Sequence, residues 1–317
     1  MADEQIRKGL LRQIVKVEDD YSLRRFSPLK TGGVADYFTE AVTAVELAAA
    51  VKAAIDMRIP YLVIGNGSRV VFSDSGFPGL VIHNLTHAYG IDRRRSQIVA
   101  DSGLPLSRFI TLAASEGLGG LTHLYGEEGT IGGAIYHNTV ADRKPIFSSI
   151  RYVTMVMPPA RIDREATIVR YRSDWLEKNA EQTKLRFLRE SRDFHEPQPV
   201  LLTALFQLTS VRVDELRTRL WQASRLARAE RPKGAVLGPI FQGEPDLPLS
   251  DLLVGSQVAK LRIGGVSPHR RFPNYIVTHG RSIRAADIRE LIIQMQGKLW
   301  TMYGAEPRLR YEFLGIW

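Results

Sequence analysis

Residues 129–134 read Gly129-Thr130-Ile131-Gly132-Gly133-Ala134, and this glycine-rich turn has an upstream counterpart in Gly65-Asn66-Gly67-Ser68. The upstream turn directly follows a strand-like run, Tyr61 to Ile64. Glycine lets a backbone approach a ligand closely and present consecutive N–H donors, which suits a pyrophosphate group. We therefore predict that the two turns form two edges of one phosphate cradle.

The amino-acid composition indicates how many compact units the chain can form and which kinds of partner it favours. A chain of 317 residues with 44% hydrophobic content is long enough for two or three compact units. A formal net charge of +9 and a pI near 9.8 favour anionic partners such as phosphates, a nucleotide-sugar, nucleic acid or an acidic surface. Because the basic residues are spread along the chain, a solvated basic surface also explains this charge. The lack of cysteine excludes disulfides, thiolate metal sites and a thiol nucleophile.

Several other classes of protein are disfavoured by missing patterns. No apolar run approaches the roughly 20 residues that span a bilayer, and the N-terminus lacks the apolar segment of a signal peptide, which predicts a cytoplasmic protein without a membrane partner. The spacing of the histidines predicts no metal site, and the absence of a Gly-x-Ser-x-Gly elbow argues against a hydrolase. Nucleic acid is disfavoured because we find no helix with basic residues along one face.

Helical and strand-like segments alternate along the chain, which predicts an α/β fold. Thr43 and Glu46 form a candidate capping box for a helix that reaches towards Pro60. A second helix starts near Pro105 and ends near Gly117, ahead of the second glycine turn. Strands are predicted at 152–157, 167–171 and 200–208, with a charged insertion at about 175–199. Two more helices are predicted at 214–230 and at 285–303, the last ending at Gly304.

Eight short segments, taken in order, resemble the UDP-N-acetylenolpyruvoylglucosamine reductase (MurB) family. The resemblance covers about residues 22 to 315. The segments are Leu29-Lys30-Thr31-Gly32-Gly33-Val34-Ala35-Asp36, Gly65-Asn66-Gly67-Ser68, Gly129 to Ala134, Tyr171-Arg172-Ser173, Gly238 to Phe241, Val266-Ser267, Asn274-Tyr275-Ile276-Val277 and Ala305-Glu306-Pro307.

The resemblance implies a MurB-type fold of two N-terminal FAD-binding subdomains, at 1–86 and 87–210, and a C-terminal α/β substrate domain at 211–317. It implies FAD and NADPH as cofactors and a UDP-sugar as substrate, in a reductase of peptidoglycan synthesis. Hydride addition to the enolpyruvyl double bond leaves an enolate-like carboxylate that needs cationic or hydrogen-bonding stabilisation, and the adjacent carbon must then receive a proton from a positioned donor.

By the same resemblance, FAD is held by the two glycine turns. Arg69 stands where the family has asparagine and adds a positive charge, whereas Glu127 and Glu128 replace an Ile-Pro pair and add two negative charges. The implied cofactor-binding residues are Gly65, Asn66, Gly67, Ser68, Arg69, Gly129, Thr130, Gly132 and Gly133.

For the reaction itself, Arg172 matches the family arginine that polarises the substrate carboxylate, a role that suits a planar guanidinium. Tyr171 and Asn274 match substrate positions. Two further catalytic positions differ, since Pro239 stands in place of the proton-donating serine and Arg308 in place of the catalytic glutamate.

These replacements leave two hypotheses open. The chain is either a reductase that is weak or inactive in the family reaction, or a non-catalytic flavin- or nucleotide-binding homologue that serves another protein. An active enzyme needs a replacement proton donor, for which Ser256, Ser267 and His269 are candidates within the same domain.

Overall fold

The structure is a computed structural model that describes residues 9, 11, 15–159, 166–172, 196–229, 231–243, 247–280 and 283–317. The chain divides into two compact units. Unit 1 comprises 1–19, 37–66 and 79–226, and unit 2 comprises 20–36, 67–78 and 227–317. The α-helices of the described residues are α1 (Ala44–Asp56), α2 (Leu106–Ser115), α3 (Ile131–Tyr136), α4 (Val213–Ala229), α5 (Leu249–Gly255) and α6 (Ala285–Tyr303).

The strands of the described residues are short, and eight residues is the longest. They are β1 (Glu18–Ser22), β2 (Val34–Ala41), β3 (Tyr61–Ile64), β4 (Val70–Phe72), β5 (Phe77–Asn84), β6 (Tyr89–Asp92), β7 (Gln97–Asp101), β8 (Leu118–Gly119), β9 (Val140–Ala141), β10 (Lys144–Pro145), β11 (Ile150–Met157), β12 (Thr167–Arg172), β13 (Val200–Gln207), β14 (Thr209–Ser210), β15 (Val236–Leu237), β16 (Val266–Pro268), β17 (Ile276–Thr278) and β18 (Glu312–Leu314).

An antiparallel sheet of order β12-β11-β13-β7-β6 forms the centre of unit 1. Alternate residues of its strands face a buried core, as Val153, Ala204 and Ala100 do in one row across the sheet. α2 contributes Phe109 to this core, and its ring centroid lies 4.6 Å from that of Phe206. The glycine turn at 129–133 is attached to this core through the buried Ile131.

The other core of unit 1 lies around α1 and the parallel pair of β3 and β5. Thr43 begins α1 by accepting the N–H of Glu46 at 3.1 Å, and the Glu46 carboxylate accepts the N–H of Thr43 at 3.1 Å. This reciprocal cap confirms the predicted capping box. β3 follows α1 along the chain and leads directly into the first glycine turn.

Unit 2 contains a three-stranded antiparallel sheet of order β15-β17-β16. α5 and α6 supply the buried Leu253, Leu291 and Met295 to the core of this unit. Within the same unit β18 pairs with β4 in parallel. α6 ends where Gly304 takes a left-handed conformation with φ of 62°, as the sequence predicts.

Most predicted elements are confirmed, with small differences at their ends. The main correction concerns the segment 129–134. The sequence predicts a turn there, whereas helix α3 begins at Ile131. The charged insertion predicted at about 175–199 falls largely outside the described residues, as do Ser173 and Glu230. The predicted subdomain boundaries at 86/87 and 210/211 remain a prediction.

Candidate functional site

The first glycine turn follows β3 and presents several backbone donors. Within the part of the chain that the structure describes, the N–H groups of Gly65, Asn66, Gly67 and Ser68 make no hydrogen bond. Gly65 and Ser68 are half-buried, and Gly67 is buried. A run of N–H groups without internal acceptors is the arrangement that binds an anion.

The second glycine turn uses most of its donors internally. Ile131 donates to the Leu104 carbonyl at 2.9 Å, Gly132 to the Ser102 carbonyl at 2.7 Å, and Gly133 to the Thr130 hydroxyl at 3.4 Å. Among the described residues, the N–H groups of Gly129 and Thr130 make no such bond. The expectation of consecutive donors from 129 to 133 is therefore corrected, and Gly129 and Thr130 remain the available donors of this turn.

Within unit 1 the two turns touch. A Cβ placed on Gly65 would lie 2.6 Å from both Cγ2 and Oγ1 of Thr130, a separation that atoms without a bond between them do not adopt. Thr130 is buried, with 3% of its surface exposed. The predicted meeting of the turns is therefore confirmed at Gly65 and Thr130, and a larger residue at position 65 would push them apart.

Gly67 is required for a reason other than the one its sequence context predicts. Its φ is +69°, and a Cβ there would lie 2.5 Å from the carbonyl oxygen of Phe26, a residue of the same unit. Glycine at this position thus avoids backbone strain and a clash with Phe26. A bulky substitution would disrupt the turn itself and would not report on a phosphate.

The charged neighbours of the turns lie in part at the surface. Glu128 is exposed, and Glu127 and Arg69 are half-buried. The carbonyl of Arg69 accepts the N–H of Glu312 at 3.0 Å, which ties the start of β4 to β18 within unit 2. All three residues have interaction partners in the protein.

Arg172 and Tyr171 end strand β12, where alternation directs adjacent side chains to opposite faces. Tyr171 is half-buried against the core of unit 1, while Arg172 is exposed. In the register of the sheet, Arg172 lies opposite Tyr152 and Tyr171 opposite Val153. The pair therefore presents an arginine, but not both side chains, to any one ligand.

In unit 2 the segments that carry Pro239 and Arg308 are hydrogen-bonded neighbours. Gln242 donates to the Arg308 carbonyl at 2.8 Å, and Arg310 donates to the Ile240 carbonyl at 2.8 Å. Pro239 and Arg308 are thus carried by adjacent segments and lie three residues apart in register, because Phe241 pairs with Leu309 and Gln242 with Arg308.

Asn274 belongs to the same cluster in unit 2 through its amide. Its Oδ1 accepts the N–H of Phe241 at 2.8 Å, and its Nδ2 donates to the Phe241 carbonyl at 3.0 Å. Asn274 therefore holds the 238–241 segment in place, and its predicted contact with substrate remains a prediction.

Three candidates for a replacement proton donor differ in their surroundings. Ser256 is 1% exposed and donates to the Leu253 carbonyl, so it is closed off from any ligand. Ser267 lies 2.7 Å from Nε2 of His279, but β17 separates its strand from β15, which leads to Pro239. His269 accepts two backbone N–H groups on Nδ1, which leaves Nε2 as its proton-bearing nitrogen.

Sequence reasoning missed Tyr311, which lies beside the family serine position. Its hydroxyl accepts the N–H of Gly238 at 2.9 Å, and the residue is 6% exposed. The contact joins residues that are 73 positions apart in the sequence, and no local sequence pattern predicts it.

Burial changes the pKa of two side chains of unit 1, Asp101 and His123, in opposite directions. Burial raises the pKa of the Asp101 carboxyl, against the opposing effects of the Ala88 N–H and the His87 charge. Burial lowers the pKa of His123, whose Nε2 lies 3.2 Å from the Lys144 carbonyl. In the described ranges, no group of three or more potential metal ligands occurs, and no helix has the length and apolar character to cross a membrane.

Comparison with known proteins defines the class. Residues 35–163 match the family model described as an FAD binding domain. The fold matches the crystal structure of UDP-N-acetylenolpyruvylglucosamine reductase (MurB) from Thermus caldophilus with a TM-score of 0.70, over 95% of this chain and 98% of that one, at 23% identity. The protein is thus an FAD-binding protein with a mixed α/β fold of the MurB type.

Curated relatives narrow the similarity within that class. This chain is 26% identical to the UDP-N-acetylenolpyruvoylglucosamine reductase of Staphylococcus aureus (strain MRSA252), over 96% of this chain and 95% of the relative. It is 28% identical to the Chlamydia pneumoniae enzyme of the same name, over 88% and 86%. The chain is similar to the UDP-N-acetylenolpyruvoylglucosamine reductases (MurB) over most of its length.

Proposed function

We propose that this protein binds FAD at its glycine turns and carries out the NADPH-dependent reduction of UDP-N-acetylenolpyruvoylglucosamine weakly or not at all. The observation that carries the proposal is the pairing of the 240–242 and 308–310 segments in unit 2. Both replaced positions are carried by these paired segments, which supports a combined effect of the two replacements on the reaction.

The fit of FAD rests on the backbone of the turns. The donors without internal acceptors in unit 1, at Gly65 and Asn66 and at 129–130, would hold the pyrophosphate. The contacts of Gly67, Ser68 and Arg69 with FAD stay predictions. When bound, FAD supplies a carrier that accepts hydride from NADPH and passes it to the enolpyruvyl double bond. Because backbone donors do this work, replacement of neighbouring side chains leaves the cradle intact.

On the substrate side, Arg172 would hold a carboxylate in two-point contact and stabilise the charge that grows there during hydride addition. An exposed guanidinium at the end of a strand is accessible for this role. Tyr171, half-buried beside it, would support the strand rather than contact the same ligand group.

The remaining step is a proton transfer, and the side chains at positions 239 and 308 are not suited to it. Proline has no proton to give, so position 239 cannot complete the reduction. Arginine at 308 places a positive charge where the family has a carboxylate. Loss of a general acid costs on the order of 10²- to 10⁴-fold in rate. Loss of a charge that stabilises the transition state adds about another 10²-fold.

A second function is favoured by the same charge change. Arg308 and Arg310 are two apart on an extended segment and so lie on one side of it. This arrangement suits the binding of an anion and not its protonation. A non-catalytic flavin- or nucleotide-binding protein, in service of another protein, is therefore the alternative function.

Flavin content is the first test of the proposal. Purified protein should show the two visible absorbance bands of oxidised flavin. Where it is purified without flavin, the fluorescence of added FAD should change as the FAD binds. Protein that carries no flavin and takes up none would overturn the FAD half of the proposal. Activity is a separate question, answered by the assay of the Pro239 and Arg308 variants described in the Discussion.

A further inference from the structure

A cluster of buried polar side chains lies beneath the second glycine turn in unit 1. Asn84 is 5% exposed, Thr86 is fully buried, and Ser102 is 1% exposed. Buried polar groups cost free energy unless they are hydrogen-bonded, so such a cluster needs internal partners. It lies between the end of β5 and the end of β7.

The donors and acceptors of the cluster can be assigned in only one consistent way. Asn84 Nδ2 donates to the Ser102 hydroxyl at 2.8 Å, and that hydroxyl donates to the Leu201 carbonyl at 2.7 Å. Asn84 Oδ1 accepts from the Thr86 hydroxyl at 2.8 Å and from the Thr86 N–H at 3.1 Å. The Thr86 oxygen in turn accepts the N–H of Gly103 at 3.1 Å.

This cluster is joined to the glycine turn through the backbone of Ser102. The Ser102 carbonyl accepts the N–H of Gly132 at 2.7 Å. Two residues further along, the Leu104 carbonyl accepts the N–H of Ile131 at 2.9 Å. A side chain on Gly132 would begin 3.0 Å from the Ser102 carbonyl oxygen. Cluster and turn are thus in contact without intervening space.

The contact on the Asn84 side is equally close. A Cβ on Gly103 would lie 2.5 Å from Asn84 Oδ1 and 2.6 Å from the Thr86 carbonyl oxygen. A shift of the Asn84 amide therefore moves the 102–104 backbone, and that backbone moves the turn. Gly129 and Thr130, with the free donors, come directly before the two residues that this backbone holds.

We propose that Asn84 is a positioning residue for FAD, which acts through Ser102 to fix the backbone donors of Gly129 and Thr130. The proposal rests on the proposed binding of FAD to the glycine turns. Asn84 contributes no contact to the cofactor. Its role is to hold the second turn at the separation from Gly65 that the pyrophosphate requires.

The test compares Asn84→Leu with Thr39→Val in the full chain. Both changes remove one buried hydrogen-bonding side chain of unit 1, since the Thr39 hydroxyl donates to the Lys16 carbonyl at 2.7 Å and is 5% exposed. Asn84→Leu should weaken FAD binding, measured by flavin fluorescence titration, by about tenfold or more, because Ser102 loses its donor and the turn shifts. Thr39→Val should lower the melting temperature comparably and leave FAD affinity unchanged.

A second readout needs no cofactor. Amide hydrogen exchange at Ile131 and Gly132 should accelerate in Asn84→Leu and not in Thr39→Val. Asn84→Asp keeps the Oδ1 acceptor and loses the donor to Ser102, so it should weaken FAD binding and speed exchange in the same direction. Equal exchange at 131–132 in all variants, or equal loss of FAD affinity in Thr39→Val, would overturn the positioning role. Failure of the wild type to bind FAD would instead overturn the proposed function, while exchange still decides the role of Asn84.

Discussion

The glycine turns, whose residues Gly65 and 129–133 lie in unit 1, and the 238–241 segment of unit 2 depart to different degrees from the family pattern. At the turns, the groups that we propose to face FAD are backbone N–H groups, and glycine is required at position 65 by the close approach of Thr130. At 239 and 308, the proposed role of the family residues depends on the identity of two side chains, and both are replaced. A site made of backbone tolerates drift in its side chains, whereas a proton-transfer site does not.

The largest effect should come from breaking the contact between the two turns. Gly65→Ala places a Cβ 2.6 Å from the Thr130 side chain and should abolish measurable FAD binding while lowering stability by about 1–3 kcal/mol. The measurement is FAD titration together with chemical denaturation.

Thr130→Ser provides the rescue for that variant. It removes Cγ2, one of the two Thr130 atoms that a Cβ at position 65 would meet at 2.6 Å, and keeps Oγ1, which is the other of these atoms and caps α3. The double variant should recover part of the lost FAD affinity. If Gly65→Ala binds FAD as the wild type does, the turns do not need their observed contact.

A smaller effect separates two adjacent glycines. Gly132→Ala places a Cβ 3.0 Å from the Ser102 carbonyl oxygen, so it should weaken FAD binding. Gly133→Ala meets no atom closer than 3.8 Å, and alanine in α3 should stabilise the protein by about 0.5–1 kcal/mol. Similar affinity in both variants would show that the support of the turn by Ser102 is unimportant.

The smallest effect is a dependence of stability on pH. Burial raises the native pKa of the Asp101 carboxyl above that of a free aspartate, so the unfolded chain releases this proton first and stability falls as pH rises through the native pKa. Asp101→Asn should remove this loss, and the free energy of unfolding of the wild type relative to the variant should decline with rising pH. Asp56→Asn, at an exposed position, controls for the removal of a charge. Parallel pH profiles of wild type and Asp101→Asn would contradict the assignment.

Local signals account for the parts of the fold that the sequence predicts. The capping box at Thr43 and Glu46, the strand before Gly65 and the glycine at 304 are all set by neighbours in sequence. The six-residue helix α3 was missed because glycines at 132 and 133 disfavour a helix, and tertiary hydrogen bonds overcome that preference.

The support of the site could not be predicted. Asn84 and Ser102 meet across 18 residues, and Tyr311 and Gly238 across 73, and no periodicity encodes such pairs. The turns themselves could be predicted, since glycine at a bend after a strand is informative without any partner. The internal use of the Gly132 N–H depends on the Ser102 carbonyl and is visible only in the folded chain.

The most direct test of the central claim is a steady-state assay of NADPH-dependent reduction of UDP-N-acetylenolpyruvoylglucosamine, with FAD content matched between samples. It compares the wild type with the double variant Pro239→Ser and Arg308→Glu, and with Pro239→Ala and Arg308→Gln, which supplies neither a donor nor a carboxylate. We expect little or no turnover by the wild type and the control, and turnover at least about 10²-fold higher in the serine and glutamate variant. Robust turnover by the wild type, or no gain in the restored variant, would contradict the account.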